Sequence, residues 1–324
     1  MDRGKKIIGL GSALVDILVN ENDDFLADTG AKKGGMTLVD SMFIENALSK
    51  TDGKPHVVPG GSACNTIIGI SRLGGNGCFV GKCGEDELGE MFEKDLKENR
   101  VNPMLFRSST PTGRVLSVVT PDAQRTMFTY LGASSEMMAK EITEKSFEGA
   151  SIVHIEGYLL FNQELMLCAL QTAKTAGARV SLDLASFNVV EQSKDILNEI
   201  VSKYVDILIA NEDEARIFTG YADEDSAVSA LGKNVEVAVL KLGKQGSIIF
   251  NQGKAIRVEP VGSGDIIDTT GAGDLWASGF LFGLENEFPY EKCGALASAC
   301  GYEVCRVMGA NIPKEGWARI NKGI

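Results

Sequence analysis

Histidine is nearly absent from this chain: His56 and His154 are the only two in 324 residues. Each lies in or beside a strand-like run, which leaves no material for a histidine-based triad or a histidine-rich metal cluster. No apolar run approaches the ~20 residues that a membrane-spanning helix needs. No block of Lys and Arg is long enough to follow a phosphate backbone, and a formal net charge of −12 argues against nucleic acid as a partner. The seven cysteines are an odd number with no Cys-x-x-Cys pair, so neither a disulfide framework nor a zinc ribbon is suggested. Cys64, Cys78, Cys83, Cys168, Cys293, Cys300 and Cys305 mostly sit in apolar segments and read as small buried hydrophobes. The start, Met1 to Lys6, leads into a strand-like segment rather than a signal sequence, which fits a cytoplasmic protein. What remains is a chain of 44% hydrophobic and 23% charged residues, the balance of a soluble globular protein with room for one large domain or two ordinary ones.

Two tempting phosphate motifs fail on inspection. Gly9-Leu10-Gly11-Ser12-Ala13-Leu14 has Leu14 where a dinucleotide fingerprint needs its third glycine, and no helix follows. Gly77–Cys83 lacks the first glycine of a P-loop, replaced by Asn76, and has Cys83 in place of Ser or Thr. A third candidate survives. Ile266–Asp274 begins as an apolar strand, breaks at Gly271 and enters the apolar helical run from Leu275. Gly271, Ala272 and Gly273 carry almost no side chain, so their backbone N–H groups can converge on an anion at a helix N-terminus. Asp274 is a poor neighbour for a simple anion but a sensible base for a hydroxyl attacking a phosphoryl group. The plain alternative is a Gly-rich turn with an acidic first-turn residue.

In chain order, Ile7–Val19 reads as a strand continuing past a kink. Asp16 is a lone carboxylate within it, either facing water from an edge strand or accepting substrate hydroxyls at the mouth of a sheet. Asp40–Ser49 is a short capped helix. After His56–Pro59, a Gly60-Gly61 turn opens a second helix with Ser62 as its expected N-cap and Asn65 one turn in. Cys78–Cys83 is a strand, Asp86–Arg100 an amphipathic surface helix, and Arg114–Pro121 with Arg125–Leu131 a hairpin around Asp122-Ala123-Gln124.

From residue 135 strands and helices alternate. Ser151–Glu156, Arg179–Leu184, Val205–Ala210 and Val235–Leu242 are strands; Gln163–Ala176, Val189–Lys203 and Glu212–Thr219 are helices; Gly246–Glu259 is a hairpin. This rhythm predicts an α/β fold with a mostly parallel sheet covered by helices. The stretches at roughly 13–20, 34–40 and 104–131 fall outside it and are expected to form a small β lid. Asn211 and Glu214 share a helix face at the C-terminal end of a strand, where ligand crevices form. They could organise a hydrated Mg²⁺, or simply cap the helix with an acidic first turn.

Together these segments resemble the ribokinase-like, PfkB-type carbohydrate kinases, from about Ile7 to Pro313. Gly60–Thr66 with Leu73-Gly74 is similar to that family's N-terminal signature, Asp268–Asp274 to its C-terminal signature, and Asn211–Glu214 to its Asn-x-x-Glu motif. The resemblance implies one three-layer αβα kinase domain with a lid, and ATP-dependent phosphorylation of a hydroxymethyl group. Asp274 would be the base, with Gly271, Ala272 and Gly273 as the anion hole. Substrate hydroxyls would be held by Asp16, Ser12, Gly60, Gly61, Ser62 and Asn65. The nucleotide would meet Asn211, Lys241, Gly243, Gly246 and Thr270. Asn211 and Glu214 would serve Mg²⁺ through water, and Asp268 and Thr269 mark a possible monovalent-cation (K⁺) site.

Within the family the chain looks most like the adenosine kinases. Gly9–Ile17, Asp24-Phe25-Leu26, Pro111-Thr112-Gly113 and Arg125 followed by Thr129–Ala133 carry that likeness. It implies that Leu131 and Ala133 flank a purine and that Arg125 reaches the transferred phosphate. Ser12 and Met36 depart from the Asn and Gln usual there. Adenosine is thus the expected acceptor, with a ribokinase- or fructokinase-type sugar kinase and a non-catalytic nucleoside or sugar sensor as alternatives. Either monomer or homodimer is compatible with the resemblance.

Overall fold

The computed structural model describes residues 5–51, 53–122, 124–262, 264 and 266–323. Met1 to Gly4 and Ala123, expected in the turn of a hairpin, lie outside them. The chain opens with β1 (Lys6–Leu10), β2 (Leu14–Asn20), α1 (Asp23–Thr29), β3 (Met36–Leu38), α2 (Ser41–Leu48), β4 (His56–Gly60) and α3 (Ser62–Arg72). It continues through β5 (Asn76–Gly84), α4 (Glu87–Glu98), β6 (Asn102–Ser108), β7 (Thr112–Val119) and β8 (Arg125–Gly132). Strand–helix alternation then sets in with β9 (Ala150–Glu156), α5 (Gln163–Thr175), β10 (Arg179–Asp183), α6 (Phe187–Tyr204), β11 (Ile207–Asn211), α7 (Glu212–Thr219) and α8 (Glu224–Leu231). The remainder is β12 (Val237–Lys241), β13 (Ser247–Asn251), β14 (Lys254–Val258), α9 (Ala272–Glu285), α10 (Tyr290–Cys305) and α11 (Lys314–Asn321).

Nine strands form one sheet in the order β14-β13-β12-β11-β10-β9-β1-β5-β6. Its pairs from β6 to β12 are parallel, and β13 runs antiparallel to both β12 and β14. Both faces are buried, and alternate residues along each strand serve different layers. Ile8, Val153, Val180, Leu208 and Leu240 face a cluster with Leu165 of α5, Leu197 of α6 and Val228 of α8. Ile7, Ile152, Ile207 and Val239 face the other way, onto Ile67 of α3, Phe92 of α4 and Phe280 of α9. Burial on both sides explains why these strands read as continuous apolar runs. Among the described residues no helix is long and apolar enough to cross a membrane.

A second sheet holds five strands in the order β3-β8-β7-β2-β4. It differs from the sequence expectation in three places. The run Ile7–Val19 is not one strand: the chain leaves the large sheet after Leu10 and enters the small one at Leu14. Residues 104–108, expected in the lid, lie in β6, the edge strand of the large sheet, paired with β5. His56–Gly60 instead joins the small sheet, antiparallel to β2. Ile266 and Ile267 likewise form no strand; they are exposed in the loop before α9. That apolar pair finds no neighbouring strand to bury it, so period alone mislabels it.

Candidate active site

The first turn of α9 carries Asp274. Gly271 precedes the helix with φ 72°, a left-handed conformation that favours glycine. The Ala272 N–H donates to the Thr269 carbonyl at 3.2 Å, whereas the N–H groups of Gly273 and Asp274 have no partner among the described residues. The Gly271 N–H is likewise unpartnered among the described residues, so Ala272 is the member of the glycine-rich run whose donor is taken. Both Asp274 oxygens are held by α3: Oδ1 accepts from the Ser62 hydroxyl at 2.7 Å and Oδ2 from the Asn65 amide at 2.9 Å. The Thr66 hydroxyl adds a bond to the Asp274 carbonyl at 3.1 Å. Burial raises the Asp274 pKa above the ordinary carboxylate value against the pull of those two hydrogen bonds.

One expectation for α3 changes here. Ser62 does not cap the helix: Gly61 occupies the cap with φ 98° and no side-chain bond, which frees the Ser62 hydroxyl for Asp274. The Asn65 amide donates to the same carboxylate, and the residue also lines the cavity between the sheets. Gly61 is fixed by space as well as φ, because a Cβ there would lie 2.4 Å from the Ser12 carbonyl oxygen.

Asp16 is not an edge-strand residue. Its strand, β2, is paired on one side with β4 and on the other with β7. The side chain is 6% exposed and its pKa is pushed up to about 6 by burial, with Arg125 opposing. Gly60 makes room for it, since a Cβ would meet its carboxylate at 2.4 Å. Beneath lies a group the sequence does not single out. Glu156, at the end of β9, accepts from the Ser12 N–H at 2.8 Å and the Ala63 N–H at 3.0 Å, tying the β1–β2 crossing to the start of α3. Burial lifts its pKa to about 7.

A cavity of about 240 Å³ lies between the two sheets. Asp16, Ser12, Gly61, Ser62, Asn65, Glu156 and Asp274 line its polar end. Met36, Leu38, Val115, Met127 and Leu131 of the small sheet line the other wall, with Tyr158 and Phe161 from beyond β9. Arg125 projects into the same space. Ala133 does not: it is wholly buried behind the wall.

A second cavity, about 790 Å³, opens on the other side of the α9 turn, along Gly243, Lys244, Gly246, Val261 and Tyr302. Asn211, Lys241, Thr269, Ala272 and Gly273 line both, so the two spaces meet beside Asp274. Thr270 lines neither. It is fully buried, and its N–H and hydroxyl both donate to Asp268 Oδ1, at 2.9 and 2.7 Å. Asp268 Oδ2 accepts from the Gly309 N–H at 2.8 Å, so this carboxylate ties the loop before α9 to the segment after α10.

Asn211 and Glu214 form a reciprocal cap on α7. Glu214 accepts from the Asn211 N–H at 2.8 Å and amide at 2.7 Å, and returns its own N–H to Asn211 Oδ1 at 2.9 Å. Burial raises the Glu214 pKa to about 7 although Lys241 opposes it. Both carboxylate oxygens are engaged, so a divalent ion here would be met through water. Among the described residues no group of three or more His, Cys, Asp or Glu converges on a metal position.

Two cavities joined at a helix N-terminus beside a held carboxylate suit transfer of a group between two substrates. The profile of the pfkB family carbohydrate kinases matches residues 36–316. The chain belongs to that family. As a pfkB kinase it is a phosphotransferase with an alcohol group as acceptor, and it has the family's ribokinase-like fold. Among curated relatives it is 29% identical over 288 residues to probable fructokinase-4 of Arabidopsis thaliana, covering 82% of this chain and 88% of that one. It is 28% identical to the 5-dehydro-2-deoxygluconokinase of Geobacillus kaustophilus over 74% of this chain and 77% of that one. Among solved structures, the adenosine kinase of Sinorhizobium meliloti superposes with a TM-score of 0.93 at 30% identity, covering 98% and 99% of the two chains. A probable sugar kinase from Rhizobium etli superposes equally well, with a TM-score of 0.93 at 30% identity over 99% and 98%.

Proposed function

We propose that this pfkB kinase transfers the γ-phosphoryl group of ATP to the 5′-hydroxymethyl group of a nucleoside, adenosine foremost. The observation that carries the reading is the two-sided acceptor cavity. Its polar end offers Asp16, Ser12 and Asn65 beside Asp274, while its opposite wall is mostly thioether and branched aliphatic, joined by Phe161, Tyr158, Thr129 and Arg125. A free hexose is polar all round and would leave that wall without a partner. A nucleoside matches it, with ribose hydroxyls on the carboxylates and a planar base on Met36, Leu38, Met127 and Leu131.

Asp274 takes the proton of the attacking hydroxyl, and its raised pKa strengthens it as a base. The unpaired N–H groups of Gly273 and Asp274 face the incoming phosphoryl oxygens. Arg125, in the acceptor cavity, supplies positive charge to the transferred group. Mg²⁺ would be held by Asn211 and Glu214 through water and would neutralise phosphate charge. ATP occupies the cavity along Gly243 and Gly246.

A sugar acceptor is the second reading, favoured by the carboxylates that ring the polar end and by the fructokinase relatives. A sensor that only binds is disfavoured because it has no use for a carboxylate poised between two cavities. The deciding experiment is ADP release measured across nucleosides and sugars, with Asp274→Asn as blank. Turnover with adenosine supports the proposal; turnover with fructose or ribose but not adenosine overturns it.

A further inference from the structure

Asp183, Asn211 and Lys241 end three adjacent parallel strands, β10, β11 and β12, and so stand side by side at the mouth of the sheet. The Lys241 ammonium bonds Asp183 Oδ2 at 2.8 Å, with the two side chains 14% and 7% exposed. Asp183 is the fixed member of this pair. Its Oδ1 accepts from the Ala185 N–H at 2.9 Å, across a turn that holds Ala185 at a left-handed φ of 65°. Lys241 is the extensible member, and one of its three N–H donors is taken.

Position and charge both bear on its use. A Cβ built on Gly273 would lie 3.1 Å from the Lys241 ammonium, so the cation stands beside the first turn of α9. The acceptor cavity is lined by five carboxylates, Asp16, Glu156, Asp183, Glu214 and Asp274, against two cations, Arg125 and Lys241. Among the described residues, Lys241 is the cationic side chain common to both cavities.

We propose that Lys241 is a catalytic residue that donates to the transferring phosphoryl group as it passes between the cavities, with Asp183 as the positioning residue that aims it. The inference rests on the phosphoryl-transfer reading of the site and is independent of which alcohol is the acceptor. In the step, the acceptor oxygen forms its bond to phosphorus as the bond to the ADP oxygen breaks. The bonding pair leaves with ADP and the hydroxyl proton passes to Asp274. Lys241 stays protonated throughout and offsets the charge spread over the equatorial oxygens.

The test compares kcat and KM of wild type, Lys241→Met, Lys241→Arg, Asp183→Asn and the double variant Lys241→Met/Asp183→Asn, using whichever acceptor the wild type phosphorylates. Lys241→Met should lose about 10²–10³-fold in kcat, the scale of one lost oxyanion-type donor, with the acceptor KM changed less than about threefold. Lys241→Arg should recover part of that loss, and Asp183→Asn should lower kcat by a smaller factor. Lys241→Met strands a buried carboxylate and could fail to fold. The double variant removes both charges and should fold yet stay slow. Turnover within about threefold of wild type in either Met variant overturns the proposal, as does a loss confined to KM for ATP. A wild-type protein silent on every acceptor overturns the phosphoryl-transfer reading, and this inference with it.

Discussion

Replacing Asp16 with Asn should make the ligand-free protein more stable and the enzyme worse, and pH should govern the first effect. The Asp16 carboxyl forms no hydrogen bond with the described residues, and burial moves its pKa from 3.8 to about 6. Each unit corresponds to 1.36 kcal/mol, so ionising this group in the folded state costs about 3 kcal/mol. The sign follows from the direction of the shift. A carboxyl whose folded pKa is raised contributes its stability in full below pH 3.8, and that contribution is lost as pH rises through about 6. The neutral amide does not titrate, and like the protonated acid it lacks a protein partner. Its advantage over wild type should therefore be small near pH 4 and reach about 3 kcal/mol near pH 8. Urea unfolding followed by the buried Trp276 and Trp317 at the two pH values reads the difference. The same variant should raise the acceptor KM by about 10–100-fold, the worth of one hydrogen bond to a charged group. An equal stability gain at both pH values, or none at pH 8, would refute the reasoning.

Two further substitutions probe neighbouring parts of the site. Asp274→Asn should fold normally, because its carbonyl can face the Asn65 amide while its own amide donates to the Ser62 hydroxyl, which rotates to accept. It should retain acceptor binding by calorimetry and lose about 10²–10⁴-fold in kcat; near wild-type turnover would remove Asp274 from the base role. Gly61→Ala places a Cβ 2.4 Å from the Ser12 carbonyl at φ 98°. It should cost at least about 1–3 kcal/mol and lower the melting temperature, with acceptor binding weakened because Ser12 is pushed aside.

The parts of this molecule legible from sequence are those whose cause is local. The βα alternation after residue 135 shows because strands buried on both faces must be apolar throughout. The α9 turn shows because a backbone that opens a helix at left-handed φ advertises itself in glycine. The break at Gly11–Ala13 is hidden because the apolar alternation runs on unbroken through the change of sheet. Strand β4 is hidden for the opposite reason: His56-Val57-Val58-Pro59 has its weak β signal cut by a proline, and only pairing with β2 makes it a strand. Glu156 looks from sequence like any acid at a strand end, and its role depends on two backbone amides over 90 residues distant. The Asp183–Lys241 pair is likewise set by strand order rather than by any spacing along the chain.

The chain passes between the two sheets at Gly11–Ala13, at Gly61, at 109–111 and after Gly132. Any turning of one sheet against the other must be taken up by these short spans. Ser12 and Gly61, which line the acceptor cavity, lie within them, and Leu131 stands one residue from the last. The joints of the molecule are thus also its fingertips. An acceptor held at Ser12 and Gly61 would press on these crossings, so its binding and any change in the angle between the sheets would act on the same few backbone bonds.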